Sequence, residues 1–149
     1  MAARVSPAKK RARPSGQGSL VPDNEGVSRA ATDRAMYIRL KAAHLDGRRV
    51  VTSAAILAET IRGHARDAGI YRVLAQIVIE PVTREIGDQA GKLIGAADLH
   101  TAQAVDAMVA ATALAETGPT LIVTSDVPHL SALVNGRDQV NVVHVDKIG

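Results

Sequence analysis

Five short apolar runs punctuate this chain at intervals that helices can fill, and this alternation limits its possible folds more than any other feature. The runs are SLVPD (19–23), RRVVTS (48–53), IVIEPV (77–82), TLIVTS (120–125) and VNVVHV (140–145). Between the first two, Ala31, Ala35, Ile38, Ala42 and Leu45 are spaced four and three apart, which predicts an amphipathic helix over 28–46. Ser53 can cap a second helix, AAILAETIRGHA (54–65), whose inner face carries Ile56, Leu57, Thr60 and Ile61. Gly69 is expected to break the chain, and IYRVLAQ (70–76) to form another turn or two of helix. Thr83 opens a helix with Ile86, Ala90, Leu93 and Ala97 on one side, and TAQAVDAMVAATALAE (101–116) is the clearest helix, closed by Gly118. A short helix, PHLSALV (128–134), and a turn, NGRDQ, precede the last strand. Strands alternating with helices pair in parallel, in a sheet covered on both faces. The expected class is α/β, with no internal repeat.

Composition narrows the chemistry. The aromatics are Tyr37 and Tyr71 alone, so the core must be built from Ala, Val, Ile and Leu. At 149 residues the chain is long enough for one domain with such a core. Absence of cysteine excludes disulfides, thiolate metal sites and cysteine nucleophiles. The net charge of +3 belongs to the first twenty residues, which hold five bases (Arg4, Lys9, Lys10, Arg11, Arg13) and no acid, leaving 13 bases against 15 acids. Residues 1–19 mix Pro, Gly, Ser and positive charge without apolar periodicity, and are expected to be a disordered basic tail ahead of a domain over 20–149. Such a tail is either a solvated extension or a non-specific grip on nucleic-acid phosphates. No apolar run follows KKRAR as in a secretory signal, and none is long enough to span a membrane, so the cytoplasm is the expected location.

Four acids stand out by position. Asp23 ends the first run and Asp126 follows the fourth, while Glu59 and Asp106 fall within two turns of the starts of their helices. Each has an ordinary reading: a turn residue at Asp23, a helix-surface pair of Glu59 with Arg62, a solvent-facing Asp106, a helix cap at Asp126. Taken together they suggest more. In a doubly wound sheet the carboxyl ends of strands and the first turns of the following helices share one edge, where ligands bind. Asp106 lies between Val105 and Ala107 on an apolar helix, where a carboxylate is costly unless paired or metal-bound. Two carboxylates 5 Å apart repel by about 3 kcal/mol at an effective dielectric near 20, so four need protons or a cation. Oxygen donors suit a hard divalent ion that retains waters and leaves room for a substrate phosphate, which points to metal-assisted phosphodiester cleavage. The five histidines (44, 64, 100, 129, 144) lack zinc-site spacing and are expected to be surface or satisfied residues.

These residues fall in motifs that resemble a known family. From about Leu20 to Val145 the chain resembles a PIN domain, particularly the VapC-like ribonuclease toxins of bacterial toxin–antitoxin pairs. LVPDNEGVS, VVTSAAILAETIRG, AVDAMVAATALAETG and TLIVTSDVPHL appear in family order and carry Asp23, Glu59, Asp106 and Asp126. The resemblance implies a three-layer α/β sandwich with a central, mainly parallel sheet, a Mg²⁺ or Mn²⁺ cofactor, an RNA substrate, a homodimer, and a cognate antitoxin that masks the acidic site. It assigns Asp23, Asp106 and Asp126 to the metal, and Glu59 to the attacking water or the metal's outer shell. Arg62 and Arg66, one turn apart on the expected Glu59 helix, would meet RNA phosphates, or Arg62 would simply neutralise Glu59; Ser125 or Thr124 would bond a ligand or phosphate, or else only close a strand-end turn.

Two positions depart from the family pattern. His129 stands where many relatives carry a further acid, so no fifth ligand is expected there. Pro22 replaces the usual aliphatic residue before the first acid and lacks the N–H of a central strand, which predicts a weakened hold on Asp23. That departure favours the alternative of a catalytically impaired PIN-like binding or regulatory module. A phosphorylatable receiver domain would need a lysine after its strand-end aspartate, and none lies between Lys92 and Lys147.

Overall fold

The computed structural model of the chain describes residues 17–148. The expected basic tail lies outside the described residues except for its last three positions, of which Ser19 already opens a strand. The strands are β1 (Ser19–Pro22), β2 (Arg49–Ser53), β3 (Val78–Glu80), β4 (Thr120–Thr124) and β5 (Val140–His144). They form one sheet in the order β3-β2-β1-β4-β5, every pair parallel. The α-helices among the described residues are α1 (Asn24–Thr32), α2 (Arg34–Leu45), α3 (Leu57–Thr60), α4 (Asp67–Leu74), α5 (Arg84–Ala97), α6 (Ala104–Leu114) and α7 (Val127–Leu133).

The chain steps outward from β1 through β2 to β3, then returns across the sheet to β4 and steps the other way to β5. Right-handed crossovers put helices of the outward steps on one face and those of the return on the other. Accordingly α1 packs with α2 and α4, whereas α6 packs with α5 and α7. The result is the three-layer α/β sandwich. The reversal of direction falls between β1 and β4, the switch point at which open parallel sheets form a crevice beyond the strand ends.

The core has no large rings. Leu20, Met36, Ile56, Ile122 and Leu130 are its largest fully buried side chains, with valines and alanines between them. Helix α6 is apolar around nearly its whole circumference, as a helix must be to lie across the middle of a sheet. Its alanines keep it close to β1, β2 and β4.

Several local expectations are corrected. The helix expected over 28–46 starts earlier, at Asn24, because Asp23 caps it, and it is split at Asp33. There the backbone is extended and the Asp33 carboxylate takes the Ala35 N–H at 2.9 Å, so the side chain caps a new helix instead of continuing the old one. The helix expected over 54–65 is a 3₁₀ turn at Ala54–Ile56 followed by the single turn of α3. Beyond Thr60 the chain opens, Gly63 adopts φ +80°, and buried Asp67 gathers the N–H groups of Arg62, Gly63 and His64 at 3.0, 2.7 and 3.2 Å. Gly69 breaks nothing and lies inside α4.

The centre of the sheet accommodates Pro22 without loss. The ladder between β1 and β2 ends at Leu20–Val50, so the N–H that proline lacks falls beyond the last paired position. The Pro22 carbonyl accepts the Thr52 hydroxyl at 2.7 Å. The next N–H, that of Asp23, donates to Val123 O on β4 at 3.0 Å. The expected weakening of the hold on Asp23 is absent.

Candidate active site

Asp23 leaves the end of β1 and turns directly into α1. Its Oδ1 accepts the N–H groups of Glu25 at 2.9 Å and Gly26 at 3.0 Å, satisfying donors that a helix N-terminus leaves unpaired. The close approach of α1 to the strand ends requires a glycine at position 26. A Cβ there would lie 2.8 Å from Pro22 Cβ and 3.2 Å from Val123 O. Burial raises the Asp23 carboxyl above its ordinary range, although hydrogen bonds from Thr124, Gly26 and Glu25 pull it back.

Asp126 sits at the corresponding place after β4, across the switch point from Asp23. Its N–H donates to the buried Thr124 Oγ1 at 2.9 Å. Asp126 also caps α7, with Oδ1 3.3 Å from the His129 N–H and Oδ2 2.6 Å from His129 Nδ1.

Asp106 approaches from above, in the first turn of α6 and half-buried. Its carboxyl is pushed up to about 6, first by burial and then by the charges of Asp23, Asp126 and Glu59, with His129 opposing. The charges of the other three sequence-predicted acids thus all reach Asp106. Glu59 is exposed on the one-turn helix α3. The tightest group is Asp106, Asp126 and His129, each offering a ligand atom within 4.8 Å of the others.

His129, expected to be a surface or satisfied histidine, is both: its side chain is 42% exposed and its Nδ1 lies 2.6 Å from Asp126 Oδ2. Its pairing with Asp126 holds the ring's pKa above the ordinary value. The legible signal was its spacing, three residues after a capping aspartate on a helix of known start. Thr124 carried less signal, because a strand-end threonine is commonplace.

The residues expected to meet substrate lie differently. Ser125 is exposed just beyond β4. Arg62 is not on the Glu59 helix, which ends at Thr60, and neither is Arg66. The Arg62 guanidinium donates to the carbonyls of Ala58 at 2.9 Å, Ile61 at 2.8 Å and Glu59 at 3.0 Å, so it serves as a cap on α3. Its bond to Glu59 is to the backbone, not the carboxylate.

The PIN domain family model matches residues 27–128. The chain belongs to the PIN-domain family. The match contains Glu59, Asp106 and Asp126, and begins four residues after Asp23. Among solved structures, this PIN domain is similar to VapBC2 from Rickettsia felis, crystallised bound to a DNA fragment from their promoter. That likeness has a TM-score of 0.60 at 11% identity, covering 84% of this chain and 97% of the other. It is also similar to FitAB bound to an IR36 DNA fragment, with a TM-score of 0.60 at 18% identity, covering 87% and 97%. These likenesses establish the shared fold. No curated protein matches the sequence. No helix among the described residues is long and apolar enough to cross a membrane.

The donor set fits a divalent cation. Asp106, raised by burial and by neighbouring acids, gains from any positive charge placed beside it, and oxygen donors suit Mg²⁺ and Mn²⁺.

Proposed function

We propose that this PIN domain is a metal-dependent endoribonuclease, cleaving RNA phosphodiester bonds as the toxin of a toxin–antitoxin pair. The observation that carries the reading is Asp106, whose carboxyl is raised to about 6 partly by three other acids from three other elements. A fold that gathers acids in this way accumulates repulsion that a cation relieves. Asp106 and Asp126 would hold Mg²⁺ or Mn²⁺ directly, and Asp23, with Oδ1 already committed to α1, directly or through water. A bound ion supplies an activated water and neutralises charge developing on the phosphate oxygens. Glu59, exposed on its short helix, orients or deprotonates the attacking water.

The likeness to VapBC2 and FitAB, added to the sequence's resemblance to VapC-like toxins, supports a cognate antitoxin as partner; a homodimer acting in the cytoplasm follows from the sequence resemblance alone. The rival reading of an impaired binding module drew its support from Pro22, and the Asp23–Val123 bond removes that support.

The test is calorimetric titration of Mg²⁺ and Mn²⁺ into the wild type and Asp106→Asn, followed by cleavage of a mixed RNA pool. Binding and cleavage that disappear together in the variant support the reading. Metal-dependent cleavage retained by Asp106→Asn would overturn the site assignment, and metal binding without cleavage would favour the impaired module.

A further inference from the structure

Asp126 and His129 share the first turn of α7, and that turn aims both at one point. Asp126 caps the helix through Oδ1 and holds the imidazole through Oδ2, so one carboxylate fixes both the backbone and the ring of His129. An exposed aspartate–histidine pair alone would be unremarkable, because the two side chains are 40% and 42% accessible and such pairs add little stability. The third member sets this pair apart. Asp106 comes from α6, is half-buried, and places a carboxylate oxygen within 4.8 Å of ligand atoms on both partners. First-row ions bind nitrogen and oxygen at about 2.0–2.2 Å, so donors around one ion lie within about 4.4 Å of one another. The group is close to that size before any ion contracts it.

We propose that His129 is a metal ligand of this protein, its ring nitrogen joining the Asp106 and Asp126 carboxylates in a mixed nitrogen–oxygen set that prefers Mn²⁺ and later first-row ions to Mg²⁺. The inference rests on the metal site proposed above and specifies its selectivity. Mg²⁺ takes oxygen donors and gives up water reluctantly, whereas imidazole suits transition ions. A neutral ring also brings one negative charge fewer than a carboxylate at the same position, which weakens the site for a hard ion relative to a softer one.

The experiment uses the full chain, stripped with chelator and reloaded with Mn²⁺, and reads directly coordinated nitrogen by pulsed electron paramagnetic resonance. The wild type should show ¹⁴N modulation from a bound imidazole, absent in His129→Ala and His129→Asp. Parallel calorimetry with Mn²⁺ and Mg²⁺ should find the preference for Mn²⁺ narrowed by about tenfold in His129→Asp. Circular dichroism of each variant confirms that it is folded. Mn²⁺ bound to the wild type without ¹⁴N modulation, or a preference unchanged in His129→Asp, would overturn the ligand role and leave the metal site standing. Failure of the wild type to bind Mn²⁺ at all would overturn both.

Discussion

Helix α6 carries an acid near each end, and the fold treats the two in opposite ways. Glu116, just past the C-terminus, is almost fully buried, yet its Oε1 receives the Ser19 hydroxyl at 2.6 Å and Arg49 Nε at 3.0 Å. The same guanidinium reaches Glu80 through a second nitrogen at 3.3 Å. Asp106, in the first turn, faces Asp23, Asp126 and Glu59, and its carboxyl is driven up to about 6. For Asp106 burial comes first and the charges of the three acids follow, together overriding the helix dipole, which favours an acid at an N-terminus. At buried Glu116 this fold supplies a guanidinium. At the switch point it supplies more acids.

The comparison breaks most sharply if the two acids respond alike to removal of charge. Asp106→Asn should lower metal-dependent RNA cleavage by more than about 10³-fold while leaving the urea midpoint unchanged or higher, because a repelled charge has been removed. Initial-rate assays and denaturation of the same preparation check both halves. A large loss of stability would mean that Asp106 is structural, like Glu116. The converse variant is Arg49→Ala. It strands buried Glu116 without its guanidinium, and should cost about 3–5 kcal/mol of stability in urea unfolding. A loss within error would show that the network at that end of α6 is dispensable.

What the sequence made legible follows the same division. The strands and the four acids were readable because their signals are local: an apolar run ending in a carboxylate, or Asp106 between Val105 and Ala107 on an apolar helix. The pairing of Arg49 with Glu116 joins residues 67 positions apart and leaves no periodic trace. Arg62 was misplaced because α3 stops after one turn, and it stops where Asp67 draws the following loop onto its carboxylate. A helical pattern continues through that loop on paper. Asp33 misled for a related reason, since an aspartate can either ride a helix face or restart the helix by capping it. His129 was passed over because its partners come from two elements, and only the folded chain brings Asp106 to it.

A smaller effect tests how finely the acid edge is positioned. Gly26→Ala would put a methyl 2.8 Å from Pro22 Cβ, forcing α1 away from the strand ends. Overpacking of this kind costs about 1–3 kcal/mol. Because Asp23 is anchored by the N–H of residue 26, the same change should weaken Mn²⁺ binding as measured by calorimetry. An equivalent loss of stability with metal affinity intact would show that Asp23 stands outside the metal's reach.

The smallest expected effect is the pH dependence of the metal-free protein. Asp106 has a folded pKa of about 6 against an ordinary 3.8, so between those values the folded chain holds a proton that the unfolded chain releases. Stability is then greatest below the unfolded value and declines as pH rises through the folded one. Asp23, raised by burial, acts in the same direction, and so does His129, whose raised pKa contributes stability that is lost as pH climbs past it. Asp67 and Asp146, both lowered, act oppositely, but only as pH falls below the ordinary carboxylate range. In chelator, then, the thermal midpoint should be higher at pH 5 than at pH 7.5, with Asp106 contributing about 1 kcal/mol of the stability difference after allowing for solvent screening of a half-exposed group. Circular dichroism is the suitable probe, since the chain has no tryptophan. Asp106→Asn should flatten part of the slope. Saturating Mn²⁺ should reverse it, because an ion that needs the deprotonated carboxylate stabilises the fold more at pH 7.5 than at pH 5. A metal-free midpoint that rises with pH instead would place the dominant titration in paired acids, and the repulsion at the switch point would then be too weak to demand a cation.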